Sequence, residues 1–439
     1  MHPGDVSRPP SAARSQAAIT PLGDVVPGTS EALRVALLRA CSNFRTYRDH
    51  FAEAGLSEHD LRSGDPAEAL RHLPLMQPSM LDALADESIE GSEGIVDMEA
   101  SSGTTGKPKR RIVTAEDERS ETELLARLFA ICGIGPRDRV ACVDTGPLTL
   151  MASFTGALEQ LGVAEAYAYS VSPDVEATVD GLIALDPTVI ITIPSIVERY
   201  LDALTTGMAR AAPGALSKVV YAGEPLAAAT RSRLEGGLGV QVFAYYGASE
   251  ASALGIECGR HTGIHLLADR HFLELADAED RGNEADLVVT TLHQRGLPLV
   301  RYPLGDVVRL RSGHCPCGLG LPLVDVLGRH DATASVLGTK VAYASLLDDV
   351  YRDVAEPREM EIVLARNATE VMTLRLPARL RDAEPAIQKA VLRREPELAF
   401  LVGSGFLAID FEFVDDGHFD ASRKRRSIVD RREERVGLA

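Results

Sequence analysis

Residues 101–109 read Ser-Ser-Gly-Thr-Thr-Gly-Lys-Pro-Lys, a run whose types can hold phosphate. Glycines let a loop fold back and aim backbone N–H groups at an anion. Hydroxyls and a lysine add donors and charge for phosphate oxygens. Pro108 follows Lys107 where a Walker loop needs Ser or Thr, and the glycine spacing differs as well. The plain alternative is a flexible surface loop.

A second set could hold metal. Cys258 is followed by His265, and some fifty residues later come Cys315 and Cys317. Three thiolates and one imidazole satisfy a closed tetrahedral Zn²⁺ site, with no position left for water. His261 and His314 are rival nitrogen ligands, and buried packing thiols are the alternative. The reading is a structural zinc that ties a β-rich segment to the residues around Glu250.

The Ser101–Pro108 run resembles the phosphate loop of the adenylate-forming superfamily (acyl-CoA synthetases, adenylation domains and luciferases). Further motifs recur in order and are most similar to the phenylacetate–CoA ligase branch. The resemblance implies that Ser101, Ser102, Gly103, Thr104, Thr105, Gly106 and Lys107 hold the ATP phosphates. Gly223-Glu224-Pro225 is similar to the turn lining the adenine pocket. Tyr245-Tyr246-Gly247-Ala248-Ser249-Glu250 is similar to the motif whose aromatic packs on adenine and whose glutamate holds Mg²⁺. Arg301-Tyr302-Pro303-Leu304-Gly305-Asp306 resembles the ribose motif, in which an acceptor-only carboxylate takes both hydroxyls. Pro303-Leu304-Gly305 departs from the branch's usual Arg-Thr-x.

Leu327-Gly328-Arg329-His330-Asp331 looks like the hinge motif, with Arg329 on ribose or phosphate and Asp331 the pivot; Ala332 replaces the usual second acid. Anchoring on Val429-Asp430-Arg431-Arg432 puts the catalytic lysine on Lys424, although Arg423 and Ser427 depart from the branch and a solvated basic tail is the alternative. Some members of the branch bind zinc at a similar Cys/His arrangement. The resemblance therefore implies ATP/AMP, Mg²⁺ and a structural Zn²⁺.

The activity implied is AMP-forming activation of a small acid, then transfer to a thiol of CoA or of a phosphopantetheinyl carrier protein. The acid pocket is expected among Asp144–Gly156, Ile193–Ser195 and Ala244–Gly247, and an aryl or aryl-acrylic acid is favoured over phenylacetate itself. Two other readings stay open: a diazo-forming enzyme that activates nitrite for an aryl amine, and an inactive nucleotide-binding regulator. A homodimer is also left open.

These motifs need a scaffold, and composition allows one. The 439 residues exceed one typical domain; hydrophobic residues are 45% and charged residues 25%. The formal net charge of −18 argues against nucleic acid or an anionic membrane as partner. With neither a secretory signal nor an apolar span, and with six cysteines in a chain this long, a reducing cytoplasm is expected.

The expected fold is α/β: a large N-terminal domain (29–329) of parallel-rich α/β layers plus a β-rich segment, and a small mobile α+β C-terminal domain (330–439). Residues 1–28 are expected to be a disordered tail. Residues 30–90 read as helices and Gly94–Ala100 as a strand. A helix opens at Thr114 with a capping box and runs to about Cys132. Strand and helix then alternate to Gly247. Short strands follow at His271–Asp277, Ala285–Leu292, Leu297–Leu304 and Asp306–Arg311, and the last 110 or so residues carry their own strand and helix signals.

Overall fold

Apolar residues at three- and four-residue spacing form helices, and short apolar runs between glycine and proline form strands. The computed structural model of the chain describes residues 19–22, 28–91, 94–101, 109–145, 149–172, 174–210, 216–223, 226, 228–276, 284–329, 333–351, 360–367, 369–415, 418 and 428–432. An edge strand β1 (Ile19–Pro21) precedes helices α1 (Thr29–Asn43), α2 (Arg45–Glu53), α3 (Glu58–Ser63), α4 (Pro66–His72) and α5 (Pro78–Gly91). The hairpin β2 (Ile95–Ser101) and β3 (Lys109–Thr114) leads into α6 (Ala115–Ile131).

An alternating series follows: β4 (Arg139–Asp144), α7 (Thr149–Gln160), β5 (Glu165–Ser170), α8 (Val175–Ala184), β6 (Val189–Thr192), α9 (Pro194–Arg210), β7 (Lys218–Tyr221), α10 (Ala228–Leu238) and β8 (Gln241–Ala248). Then come β9 (Ser252–Glu257), β10 (Ile264–Leu266), β11 (His271–Ala276), β12 (Glu284–Thr291), β13 (Tyr302–Leu310) and β14 (Leu323–Arg329). The last part holds β15 (Thr333–Val336), β16 (Thr339–Ala342), α11 (Tyr343–Val350), β17 (Glu361–Arg366), β18 (Glu370–Pro377), α12 (Glu384–Arg394), α13 (Pro396–Gly403), β19 (Leu407–Val414) and β20 (Ile428–Asp430).

Twelve strands form one sheet in the order β1-β11-β12-β13-β14-β10-β9-β8-β7-β6-β4-β5. Strands β4 to β8 pair in parallel, as crossover helices require. The change of direction falls inside β8. Its first half, Gln241–Ala244, runs parallel to β7, and its second half, Tyr245–Ala248, pairs antiparallel with β9. The two tyrosines thus stand just beyond the carboxyl ends of the parallel strands, the usual ligand crevice of open α/β sheets. A separate four-stranded sheet, β19-β18-β17-β20, lies C-terminal to β14.

The α6 start agrees with the sequence expectation: Thr114 is the N-cap, and its capping box closes on Asp117. Two stretches differ. Ile19–Pro21, inside the expected disordered tail, pairs with β11 at the sheet edge. Leu297–Val300 was expected as strand but is an apolar loop, because Arg301 sits at φ 51° and starts the ladder afresh. The loop's backbone groups find other partners. Pro298 O accepts the Tyr47 hydroxyl at 2.7 Å, Leu299 N donates to Thr291 Oγ1 at 3.0 Å, and Val300 N donates to Tyr47 Oη at 3.1 Å. The two Tyr47 bonds dock α2 on this loop.

Candidate active site

Period-two alternation along β13 puts Tyr302, Leu304 and Asp306 on its buried face. Asp306 Oδ2 accepts the Tyr246 hydroxyl at 2.7 Å, and the Tyr302 hydroxyl donates to Glu250 Oε1 at 3.2 Å. Two carboxylates of the ribose and magnesium motifs are therefore each held by a tyrosine from the other motif. Asp306 also stands opposite Arg329 in the β13–β14 register. Glycine is needed at 247, since a Cβ there would lie 2.9 Å from Ser252 O. The Gln294 amide donates to the Glu250 carbonyl at 3.1 Å, so the turn carrying Glu250 is fixed at both backbone and carboxylate.

Arg301 anchors the start of β13. It is 3% exposed and pairs at 3.1 Å with Glu274, which is 1% exposed. It also donates to the Leu73 carbonyl, joining the end of α4 to the ribose strand. Burial raises the Glu274 carboxyl above its ordinary range, and the Arg301 guanidinium opposes that rise.

Tyr245 faces the other side of the sheet. Its ring meets Phe154 edge-on at 5.7 Å, and Phe154 meets Phe129 at 5.1 Å. These aromatics belong to the core packed under α6 and α7, whereas Tyr246 belongs to the core of the N-terminal helices. Phe154 and Tyr245 come from two of the three stretches expected to line the acid pocket.

The sequence reading gave neither Tyr302 nor Arg301 a role. Alternation from Asp306 would have placed Tyr302 beside it. Nothing local reveals the Arg301–Glu274 pair, which closes across separate strands. Of the other expected nucleotide residues, Ser101 ends β2, Gly223 follows β7 at φ 80°, and Arg329 ends β14. Ser102, Gly103, Thr104, Thr105, Gly106, Lys107, Glu224, Pro225, Asp331 and Lys424 lie outside the described residues.

The cysteine–histidine set converges. Cys258 directly follows β9 and opens the turn after it, His265 sits on β10, and Cys315 and Cys317 lie between β13 and β14. β10 pairs with both β9 and β14, which brings the three segments together. Their four ligand atoms lie within 4.8 Å of one another. Sγ of Cys258 and Cys315 are 3.6 Å apart, and His265 Nε2 is 3.3 Å from Cys258 Sγ and 3.4 Å from Cys317 Sγ. A zinc tetrahedron has edges of about 3.8 Å between sulfurs and about 3.6 Å from sulfur to nitrogen, so the donor set fits. His261 turns away to Arg231, 2.7 Å from its Nδ1, and His314 is not in the cluster. Burial pushes the metal-free Cys258 thiol up to about 11.

Among the described residues, no helix is long and apolar enough to cross a membrane. Residues 63–271 match the AMP-binding enzyme family. The phenylacetate–coenzyme A ligase of Escherichia coli (strain K12) is 27% identical over 338 residues, covering 74% of this chain and 75% of its own length. That of Thermus thermophilus is 30% identical over 291 residues, 63% of this chain and 64% of its own. A solved 2-hydroxyisobutyryl-CoA ligase, in complex with 2-HIB-AMP and CoA, shares the fold at TM-score 0.73 and 21% identity, over 93% of this chain and 91% of that one. The chain thus carries a segment of the AMP-binding enzyme family over residues 63–271, and over most of its length it is similar to the phenylacetate–CoA ligases.

Proposed function

We propose that this chain is an AMP-forming acid–CoA ligase. The observation that carries the reading is the crossed pair, Tyr246 on Asp306 and Tyr302 on Glu250, at the carboxyl ends of the parallel strands. A carboxylate oxygen of the acid attacks the α-phosphorus of ATP, and the bond to pyrophosphate breaks. The thiolate of CoA then attacks the acyl carbon, and AMP leaves.

Positioning and charge neutralisation supply most of such catalysis. Asp306 accepts the ribose hydroxyls, and its bond from Tyr246 fixes the carboxylate for them. Arg329, across the ladder, serves ribose or phosphate. Glu250, a hard oxygen donor held by Tyr302, suits Mg²⁺, which supplies charge on the phosphates. The 101–107 stretch is assigned to the phosphates with Lys107, Gly223-Glu224-Pro225 to adenine, Lys424 to the acid and α-phosphate, and Asp331 to the hinge between the 29–329 and 330–439 units.

The aromatic set of Phe154 and Tyr245 favours an aryl or aryl-acrylic acid, and a carrier-protein thiol is the other acceptor the reading allows. Zinc at Cys258, His265, Cys315 and Cys317 is structural, since all four donors come from protein.

With Mg·ATP, CoA and a panel of benzoates, aminobenzoates and cinnamates, AMP and pyrophosphate should form with at least one acid. Asp306→Ala should lower the rate more than about tenfold, or about 1.4 kcal/mol of barrier. ADP and phosphate as the products would overturn the reading. About one zinc per chain should co-purify, and metal-free protein of unchanged stability would remove the metal from it.

A further inference from the structure

Arg111, Glu121 and Ser252 form a polar chain beside the nucleotide residues. Arg111 lies on β3, the strand that leaves the 102–108 connection, and its guanidinium pairs with Glu121 of α6. The other Glu121 oxygen accepts the Ser252 hydroxyl. Ser252 is two residues past Glu250 and is the first residue of β9, just after the turn from β8. The ion pair is largely shielded, with Arg111 11% and Glu121 20% exposed. Charge-assisted bonds of this kind are stronger than neutral ones.

Two further observations give the chain a rigid base. Ser252 holds φ 63°, a left-handed conformation that a serine adopts only where its surroundings over-determine it. Asp117, at the start of α6, accepts backbone N–H from Arg295 at 2.6 Å and Gly296 at 2.8 Å. Gly296 has no room for a side chain, because a Cβ would stand 2.4 Å from Ile112 O of β3. Helix α6, strand β3 and the loop whose Gln294 holds Glu250 thus form one unit.

We propose that Arg111, Glu121 and Ser252 are positioning residues for the triphosphate: they fix the β2–β3 hairpin against the turn carrying Glu250. The proposal rests on the adenylation reading. ATP spans the two elements through its β- and γ-phosphates, and AMP carries neither. The relay therefore acts on Mg·ATP and leaves AMP untouched, which a purely structural ion pair would not do.

Isothermal titration of the full chain with Mg·ATP and, separately, with AMP tests this. Glu121→Ala should weaken Mg·ATP by about tenfold or more, the scale of a charged hydrogen bond, and change AMP by less than about twofold. Glu121→Gln, which keeps an acceptor for Ser252 but loses the ion pair, should fall between. Ser252→Gly is the variant that folds regardless, since glycine takes φ 63° without strain. It should weaken Mg·ATP by about threefold and spare AMP, the scale of one neutral hydrogen bond. Equal loss for both nucleotides, or no loss for Mg·ATP, overturns the relay alone. Wild-type protein that binds neither nucleotide overturns the adenylation reading and the relay with it.

Discussion

Strands β4 to β7 and strands β9 to β14 are halves of one sheet, but different forces hold them. In the parallel half, Val140, Ala141, Cys142 and Val143 of β4, Val189, Ile190 and Ile191 of β6, and Val219 and Val220 of β7 are all buried. Such continuous apolar runs are what a sheet covered on both faces requires. In the antiparallel half, Glu257, His265, His271, Glu274, Arg301 and Asp306 are buried within the same depth of core. Buried charge stabilises poorly and is costly to leave unpaired. Under the proposed function, the half of the sheet that holds this buried charge also carries Asp306 of the nucleotide site.

The contrast predicts unequal responses to substitution. The largest should come from Arg301→Ala, which strands the Glu274 carboxylate and should destabilise by about 3–5 kcal/mol in urea unfolding. The double variant Arg301→Met with Glu274→Leu should recover most of that loss. A single variant as mild as a surface change would erase the distinction between the halves.

A smaller effect should follow from pH. Burial drives the His271 imidazole down to about 3, from an ordinary 6.5, while its Nε2–H donates to Ala253 O at 2.9 Å. The unfolded chain therefore takes up the proton first. This contribution is complete above pH 6.5 and is lost progressively as pH falls towards 3, at about 1.4 kcal/mol per unit. Between pH 7.5 and 5.5 the wild type should lose more stability than His271→Gln, which keeps a donor for Ala253. Parallel curves would show that His271 adds nothing to the pH response.

The smallest effect belongs to the scaffold. Ile191→Val in β6 should cost about 0.5–1.5 kcal/mol, the removal of one buried methylene. It should leave Mg·ATP binding unchanged.

Much of this arrangement was legible beforehand, for reasons that differ by element. The α6 start was readable because a capping box is a local signal four residues long. The alternation from β4 to β8 was readable because each apolar run is bounded by its own turn. The cysteine–histidine cluster was readable because ligand chemistry limits which residues can meet a metal; His265 was read as the nitrogen ligand with His261 and His314 as rivals, and the β10 register brings His265 to the three cysteines. Strand β9 was missed: Ser-Ala-Leu-Gly-Ile-Glu is poor in β-branched residues, and its place comes from pairing with β8. The Arg301–Glu274 and Arg111–Glu121 pairs were missed because each partner, read alone, is an ordinary charged residue.

The change of partner inside β8 has a consequence for redesign. Tyr245 and Tyr246 are chain neighbours, yet they open on opposite compartments, one shared with Phe154 and the other with Asp306. Under the proposed function, the two positions act as independent dials. Residue 245 can be varied to change which acid is accepted, with residue 246 kept to preserve the nucleotide contacts. A one-residue insertion upstream in β8 would exchange the two compartments' side chains at once, so libraries aimed at new acids should vary side chains at fixed strand length.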